Sequence, residues 1–104
     1  MLSVDAAFDR IGTALRQRGY SLTKEDRTAD PSGDRQSIFD SPDMSVRIDW
    51  KSSPRMLVLK VKVEGEWVEF ARHSFGPQGL EDTAVDSLVR AIRNEVAETS
   101  TDAD

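Results

Sequence analysis

The stretch MLVLKVKVEGEWVEFARHSF at residues 56–75 decides the fold, because it has the pattern of two β-strands joined by a tight turn. Apolar and polar residues alternate along both halves, as in strands that bury one face. Glu64 and Gly65 separate the halves, and glycine tolerates the positive φ that a two-residue hairpin turn requires. We therefore predict a β-hairpin that turns at these two residues. Glu-Gly is a weaker turn signal than Asn-Gly, so a bulged turn is the alternative.

A two-residue turn fixes which residues of this hairpin lie opposite each other. The predicted pairs are Val61–Val68 and Leu59–Phe70 on the apolar face, and Lys60–Glu69 and Lys62–Trp67 on the polar face. A slip by one residue would bury two lysines, at a cost of several kcal/mol. This one register aligns the apolar residues and also gives an opposite-charge pair, which favours it.

The strand predicted at residues 44–51 supports the same apolar face independently. If a loop at residues 52–55 connects it to the central strand, Ile48 lies opposite Leu59, and the other apolar positions align as well. Agreement between registers derived separately is typical of a sequence that specifies one fold. We therefore expect a β-meander whose apolar residues all share one face.

The strand at residues 35–41 has two possible registers. A two-residue turn at Pro42-Asp43 places Phe39 inward, opposite Val46, whereas a three-residue loop places Ile38 there. We favour Phe39, because its larger ring gains more from burial. Residues 20–24 alternate weakly and predict a short edge strand. Residues 25–34, which contain Pro and Gly, predict a mobile loop or at most a turn at residues 30–33.

Two segments at the ends of the sequence have helical periodicity. Residues 3–18 carry one apolar stripe, with Ser3 as a candidate N-cap and Gly19 suited to a left-handed C-terminal position. Residues 80–98 carry a second stripe, after a Gly- and Pro-containing connection. Each helix must bury its stripe, and the simplest arrangement lays both helices on the apolar face of the sheet.

The predicted fold is therefore α+β. It is an antiparallel β-meander of four to five strands with N-terminal and C-terminal helices packed on one face, in a two-layer sandwich. We expect a single domain over residues 1–98, with enough large apolar side chains for one modest core. Residues 99–104 predict a disordered acidic tail.

Composition restricts the class of protein. The 104 residues include no Cys, which excludes disulfides and thiolate metal sites, and the net charge is −5. The sequence contains no apolar run of about 20 residues, so we predict no membrane span, and it shows no secretion-signal pattern. We expect a cytoplasmic location. The negative charge disfavours long-range attraction to nucleic acid or anionic membrane but permits a local basic patch.

The polar face of the predicted sheet carries the candidate binding residues. They are Arg47, Lys60, Lys62 and Trp67, with His73 as a further candidate. Trp and Arg are enriched at the hot spots of protein interfaces. A basic face with an aromatic side chain also suits single-stranded nucleic acids, although neighbouring carboxylates offset much of the charge. An ordinary solvated face is the alternative without a function.

We expect no catalytic site, no metal and no cofactor. His73 is the only histidine, and its sequence neighbour Ser74 would face the other side of the strand. Asp26, Asp30 and Asp34 recur every four residues but lack the ligand number and spacing of a calcium loop. The sequence contains no motif specific enough to indicate a family.

The expected function is therefore a small non-enzymatic binding or adaptor domain that contacts another protein through the open sheet face. A small inhibitor or immunity-type protein would be one example of this class. Single-stranded nucleic-acid binding through Arg47, Lys60, Lys62 and Trp67 is the alternative. An unpaired edge strand could also form a homodimer by strand addition.

Overall fold

The chain folds as a helix, five strands and a second helix, in that order. This computed structural model describes residues 2–27, 33–53, 55–77 and 79–95, the side chain of Glu95 excepted. The elements are α1 (Val4–Arg16), β1 (Ser21–Arg27), β2 (Arg35–Asp40), β3 (Ser45–Lys51), β4 (Met56–Val63), β5 (Glu66–Ser74) and α2 (Asp82–Glu95). The predicted α+β class with both helices on one sheet face is confirmed, and the meander has five strands.

The strands form one antiparallel sheet in the order β1-β2-β3-β4-β5. The predicted register between β3 and β4 is confirmed, with Ile48 opposite Leu59. Between β2 and β3, Phe39 lies opposite Val46 and is 3% exposed, as expected for the larger ring. Ile38 consequently points to the other face and is only partly buried. The alternating sequence pattern therefore specified the centre of the sheet correctly.

The hairpin between β4 and β5 turns at the predicted two residues. Glu64 and Gly65 have φ values of 52° and 85°, and Val63 pairs with Glu66 immediately beside them. Positive φ at both central residues is typical of the type I′ turn, whose twist matches that of the strands. Gly65 adopts this conformation without strain, whereas Glu64 does so at an energetic cost.

One predicted pair in this hairpin is wrong. Leu59 lies opposite Ala71, not Phe70, because the register shifts between Leu59 and Lys60. A β-bulge of this kind adds one residue to one strand and shifts the pairing of the residues beyond it. As a result, His73 lies opposite Leu57, on the face that packs against the helices, rather than on the outer face.

The first strand is longer than predicted. β1 extends to Arg27 and pairs with β2, so Glu25 and its two successors are in the sheet and not in a loop. A contact between the two strands favours the longer β1. Glu25 Oε2 lies 2.7 Å from Arg35 Nη2 of β2, and this ion pair stabilises the extended pairing. Residues 28–32, the rest of the predicted loop, lie outside the described residues.

The two helices begin at different kinds of boundary. Ser3 is the N-cap of α1, and its hydroxyl accepts a 3.0 Å hydrogen bond from the backbone N–H of Ala6. Gly19, just beyond the helix, has a φ of 92°, as predicted for this position. α2 does not start at Leu80. Instead, Leu80 pairs with Leu2 through two backbone hydrogen bonds of 2.7 and 3.2 Å. The predicted end at residues 96–98 lies outside the described residues.

Both helices contribute to one hydrophobic core on the inner face of the sheet. They run in the same direction. Arg10 of α1 pairs with Asp86 of α2 at 3.1 Å, and Arg18 donates a 3.2 Å hydrogen bond to the carbonyl of Arg93. Within the described ranges, neither helix has the length and apolar content needed to cross a bilayer.

Burial on this inner face decreases along β4. Leu57 and Leu59 are fully buried, Val61 is partly buried, and Val63 is 48% exposed. The helices thus cover the end of the hairpin where β4 starts and leave its turn end open. The sheet is longer than the helix layer that lies on it.

Candidate functional site

Four of the predicted site residues come together on the outer face. Arg47 lies opposite Lys60, and Lys62 lies opposite Trp67, on the three adjacent strands β3, β4 and β5. Directly paired positions on neighbouring strands share a face, so all four side chains project to the side opposite the helices. We call these four residues and Asp49 the outer-face cluster. Their binding role stays a prediction.

Asp49 organises the cluster. Its Oδ2 accepts hydrogen bonds from Arg47 Nε at 3.1 Å and Nη2 at 2.9 Å, and Lys60 Nζ lies 3.5 Å away. The Asp49 side chain is 3% exposed, although it lies on the face opposite the helices. A carboxylate so well shielded from water binds its cations more strongly than an exposed one. Asp49 therefore fixes the Arg47 guanidinium in place.

Trp67 lies beside the side chains that Asp49 positions. The guanidinium carbon of Arg47 is 5.3 Å from the centroid of the Trp67 ring, and Lys62 Nζ is 5.7 Å from it. Cations within about 6 Å of an indole ring are attracted by its π electrons. The ring is only partly buried, so an aromatic surface flanked by two cations is accessible to solvent.

A second set of hydrogen bonds lies next to the cluster. Asp40 accepts a hydrogen bond from the Ser45 hydroxyl and another of 2.7 Å from Thr23 Oγ1. These two hydrogen bonds, with a smaller contribution from the charge of Lys62, outweigh burial and hold the pKa of Asp40 below its ordinary value. Asp40 therefore stays ionised near Lys62, at the edge of the cluster.

The charges of the outer face nearly balance. In and around the cluster, Arg47, Lys60, Lys62 and Arg72 are cationic, whereas Asp40, Asp49 and Glu69 are anionic. Four positive and three negative charges leave one positive charge in excess. The protein as a whole carries −5, so this small area is basic on an otherwise acidic chain.

His73 does not belong to the cluster. Its ring centroid lies 4.7 Å from that of Phe75, and its cross-strand partner Leu57 is part of the core. The prediction that His73 shares the outer face is therefore wrong, and the β-bulge is the reason.

A sequence signal could have identified Asp49. Positions two apart on a strand share a face, so Arg47-x-Asp49 beside Lys60 on the neighbouring strand predicts a triad of one acid and two bases. The extent of its burial could not have been predicted, because it depends on how the long side chains of Arg47 and Lys60 approach the carboxylate in three dimensions.

A cleft of about 290 Å³ lies at the end of the sheet where β1, β2 and β3 meet. Its walls include Asp26, Asp34, Gln36 and Lys51, a mixture of opposite charges. Asp34 already accepts hydrogen bonds of 2.8 Å from both the backbone N–H and the hydroxyl of Ser52. Among the residues that the structure describes, no group of three or more His, Cys, Asp or Glu side chains could hold a metal ion. Asp30 lies outside those residues.

Comparisons with protein-family models, with curated proteins and with solved structures find no match to this chain. The geometry of the described residues must therefore carry any functional conclusion by itself.

Proposed function

We propose that this chain is a non-enzymatic protein-binding domain that contacts its partner through the outer-face cluster. The observation that carries the proposal is the fixed arrangement of Trp67 and Arg47, held by the shielded carboxylate of Asp49. These two residue types dominate the hot spots of protein interfaces.

Preorganisation is the physical reason to expect useful affinity from so small an area. A flexible arginine loses rotamer entropy on binding, at about 0.5–1.5 kcal/mol for each immobilised long side chain. Asp49 already restrains Arg47 in the free protein, so part of this cost has been met before the partner arrives. Trp67 adds a large, rigid apolar surface beside it.

The charges of the cluster indicate what kind of surface it would contact. One excess positive charge, beside a partly exposed indole ring, suits a partner surface with carboxylates around an apolar centre. An acidic partner would be repelled by the rest of this chain, which carries −5, so we expect a local acidic patch and not a strongly acidic protein.

A pair of substitutions at partly exposed apolar side chains tests the proposal. Trp67→Ala removes the indole from the outer face, whereas Leu22→Ala shortens a side chain of β1, opposite Phe39, that belongs to neither proposed binding surface. We expect affinity capture from a lysate of the source cells to recover a protein with the wild type and with Leu22→Ala, and to lose it with Trp67→Ala. Equal recovery with all three proteins would contradict a contact through the outer face.

The excess of cations next to Trp67 also supports a second candidate, binding of single-stranded nucleic acid. Fluorescence anisotropy of a labelled oligonucleotide over a series of salt concentrations tests it. Phosphate contacts release counterions, so binding of this kind weakens steeply as salt increases. The absence of binding at low salt would eliminate this candidate and leave the protein-binding proposal unaffected.

A further inference from the structure

The inner face of the sheet continues as an apolar surface beyond the helices. Val63 and Val68 are each 48% exposed, although they lie on the same face as the buried core. Val61, opposite Val68, and Phe70 are partly buried and pack against that core. We call Val61, Val63, Val68 and Phe70 the overhang. It is a continuous extension of the core, not a set of isolated apolar residues.

Carboxylates surround the open end of the overhang. Glu66 lies directly opposite Val63 and therefore on the same face, and Glu64 occupies the turn between them. Asp43 lies in the β2–β3 turn, which an antiparallel sheet places at the same end as the β4–β5 turn. All three are exposed. Lys62, the nearest cation in sequence, pairs with Trp67 on the other face.

The width of the surface suits one helix. The overhang lies on two neighbouring strands, β4 and β5, which are about 4.8 Å apart. An α-helix with its side chains is about 10–12 Å in diameter, so one helix is wide enough to cover both strands. The two helices of this chain already cover the core residues of the same face with apolar stripes, so a third helix would continue an existing layer.

We propose that the overhang binds one amphipathic helix of a partner protein, with an apolar stripe flanked by Lys or Arg. The apolar stripe would cover Val63 and Val68, and the flanking cations would pair with Glu64, Glu66 and Asp43. A second copy of this chain fits less well, because two overhangs face to face would bring their carboxylates together. This surface is separate from the outer-face cluster, so either proposal can fail without the other.

Two designed peptides of about 18 residues, or five helical turns, test the proposal. Both carry leucines at i, i+3, i+4 and i+7, and their remaining positions are lysine in one peptide and glutamate in the other. We expect the Leu/Lys peptide to bind saturably in fluorescence anisotropy, and to shift the amide resonances of the β4–β5 hairpin in NMR spectra. The Leu/Glu peptide should not bind.

Three variants separate a specific site from general attraction to an acidic protein. Val63→Ser with Val68→Ser should weaken binding of the Leu/Lys peptide by about ten-fold while leaving the charge unchanged. Glu64→Gln with Glu66→Gln should also weaken it. Asp9→Asn with Glu81→Gln removes as much charge elsewhere and should have a much smaller effect.

Several outcomes would overturn the proposal. They are absence of binding, equal binding of the two peptides, equal loss of affinity in the two charge variants, and unchanged affinity in the double Val→Ser variant. Circular dichroism of each variant establishes that it remains folded, which is expected because the four substituted positions in the hairpin are exposed.

Discussion

Asp5, in the first turn of α1, accepts a 2.6 Å hydrogen bond from Arg35, at the start of β2. The guanidinium of Arg35 also lies 4.2 Å from the ring centroid of Phe8, one helical turn further along. Its side chain is 8% exposed and makes a second ion pair with Glu25 of β1. One buried cation thus joins the first helix to the first two strands.

Replacing this cation should destabilise the fold. We expect Arg35→Met to lower the free energy of unfolding by about 2 kcal/mol, because two carboxylates lose their buried partner and keep only the exposed Arg27. The loss should be smaller than for a fully buried pair, since the side chain of Asp5 is 58% exposed. Urea denaturation measures it. Arg27→Met, at an exposed position that contacts the same two acids, is the control and should destabilise the fold clearly less than Arg35→Met.

The same ion pairs should make stability depend on pH. Burial raises the pKa of Glu25, but its hydrogen bond with Arg27 and the charges of Arg35 and Arg27 outweigh this effect, and the pKa lies below the ordinary 4.5. A carboxyl whose pKa is lower in the folded state than in the unfolded state stabilises the fold. This contribution is complete at pH values above the unfolded-state pKa, and it is lost as the pH falls through the folded-state pKa. The stability difference between wild type and Glu25→Gln should therefore shrink in acid.

Urea denaturation of both proteins between about pH 7 and pH 3 measures this difference. Asp40, whose pKa is also lowered, titrates in both proteins and cancels in the comparison. A difference that stays constant over the whole range would show that the charge of Glu25 does not contribute.

The turn between β4 and β5 offers a stabilising substitution. Glu64 has a φ of 52°, a conformation that Asn adopts more readily, and Asn-Gly is the preferred type I′ dipeptide. We expect Glu64→Asn to raise the free energy of unfolding by about 0.5–1 kcal/mol. Glu64→Gln removes the same charge without the conformational preference and should change stability by less. A larger gain from Gln than from Asn would indicate that charge, and not backbone conformation, limits the turn.

Asp49 should act as a positioning residue for the outer-face cluster. Asp49→Asn removes the charge that holds Arg47 and Lys60, and we expect it to cost about 2–4 kcal/mol of stability. Without the Asp49 charge, the Arg47 side chain should move relative to the Trp67 ring. This movement should change the fluorescence emission of Trp67. The measurement requires a Trp50→Phe background, in which Trp67 is the only tryptophan. Glu69→Gln, an exposed charge removal on the same face, is the control and should leave the emission unchanged.

The sequence specified the centre of the sheet because apolar and polar residues alternate strictly along the central strands. This local pattern is compatible with only one register there. Both strand registers predicted from the sequence put Ile48, Leu59 and Val61 on one face. The structure pairs Ile48 with Leu59 and Val61 with its expected partner on β3. The β-bulge was missed because simple alternation has no place for an extra residue. A signal for it exists, since the unshifted register would have placed Arg72 opposite Leu57, in the core. The bulge turns Arg72 outward, opposite Val58.

The remaining differences arise from contacts that are distant in sequence. Glu25 lies in a stretch that is polar enough to predict a loop, and its ion pairs with Arg35 and Arg27 favour the continued strand. The candidate site shows the same division. Four of its members follow from strand alternation, and the position of His73 follows from the β-bulge, whereas the shielding of Asp49 depends on three-dimensional packing.

The pairing of Leu2 with Leu80 has a consequence for how the chain folds during synthesis. α1 is made before any strand, yet α2, its neighbour in the core, is the last described element, and Arg10 and Asp86 are 76 positions apart. Contacts of such long range slow folding, and an apolar helix face without its partner exposes a nascent chain to aggregation. We therefore expect the core to close only after α2 has left the ribosome.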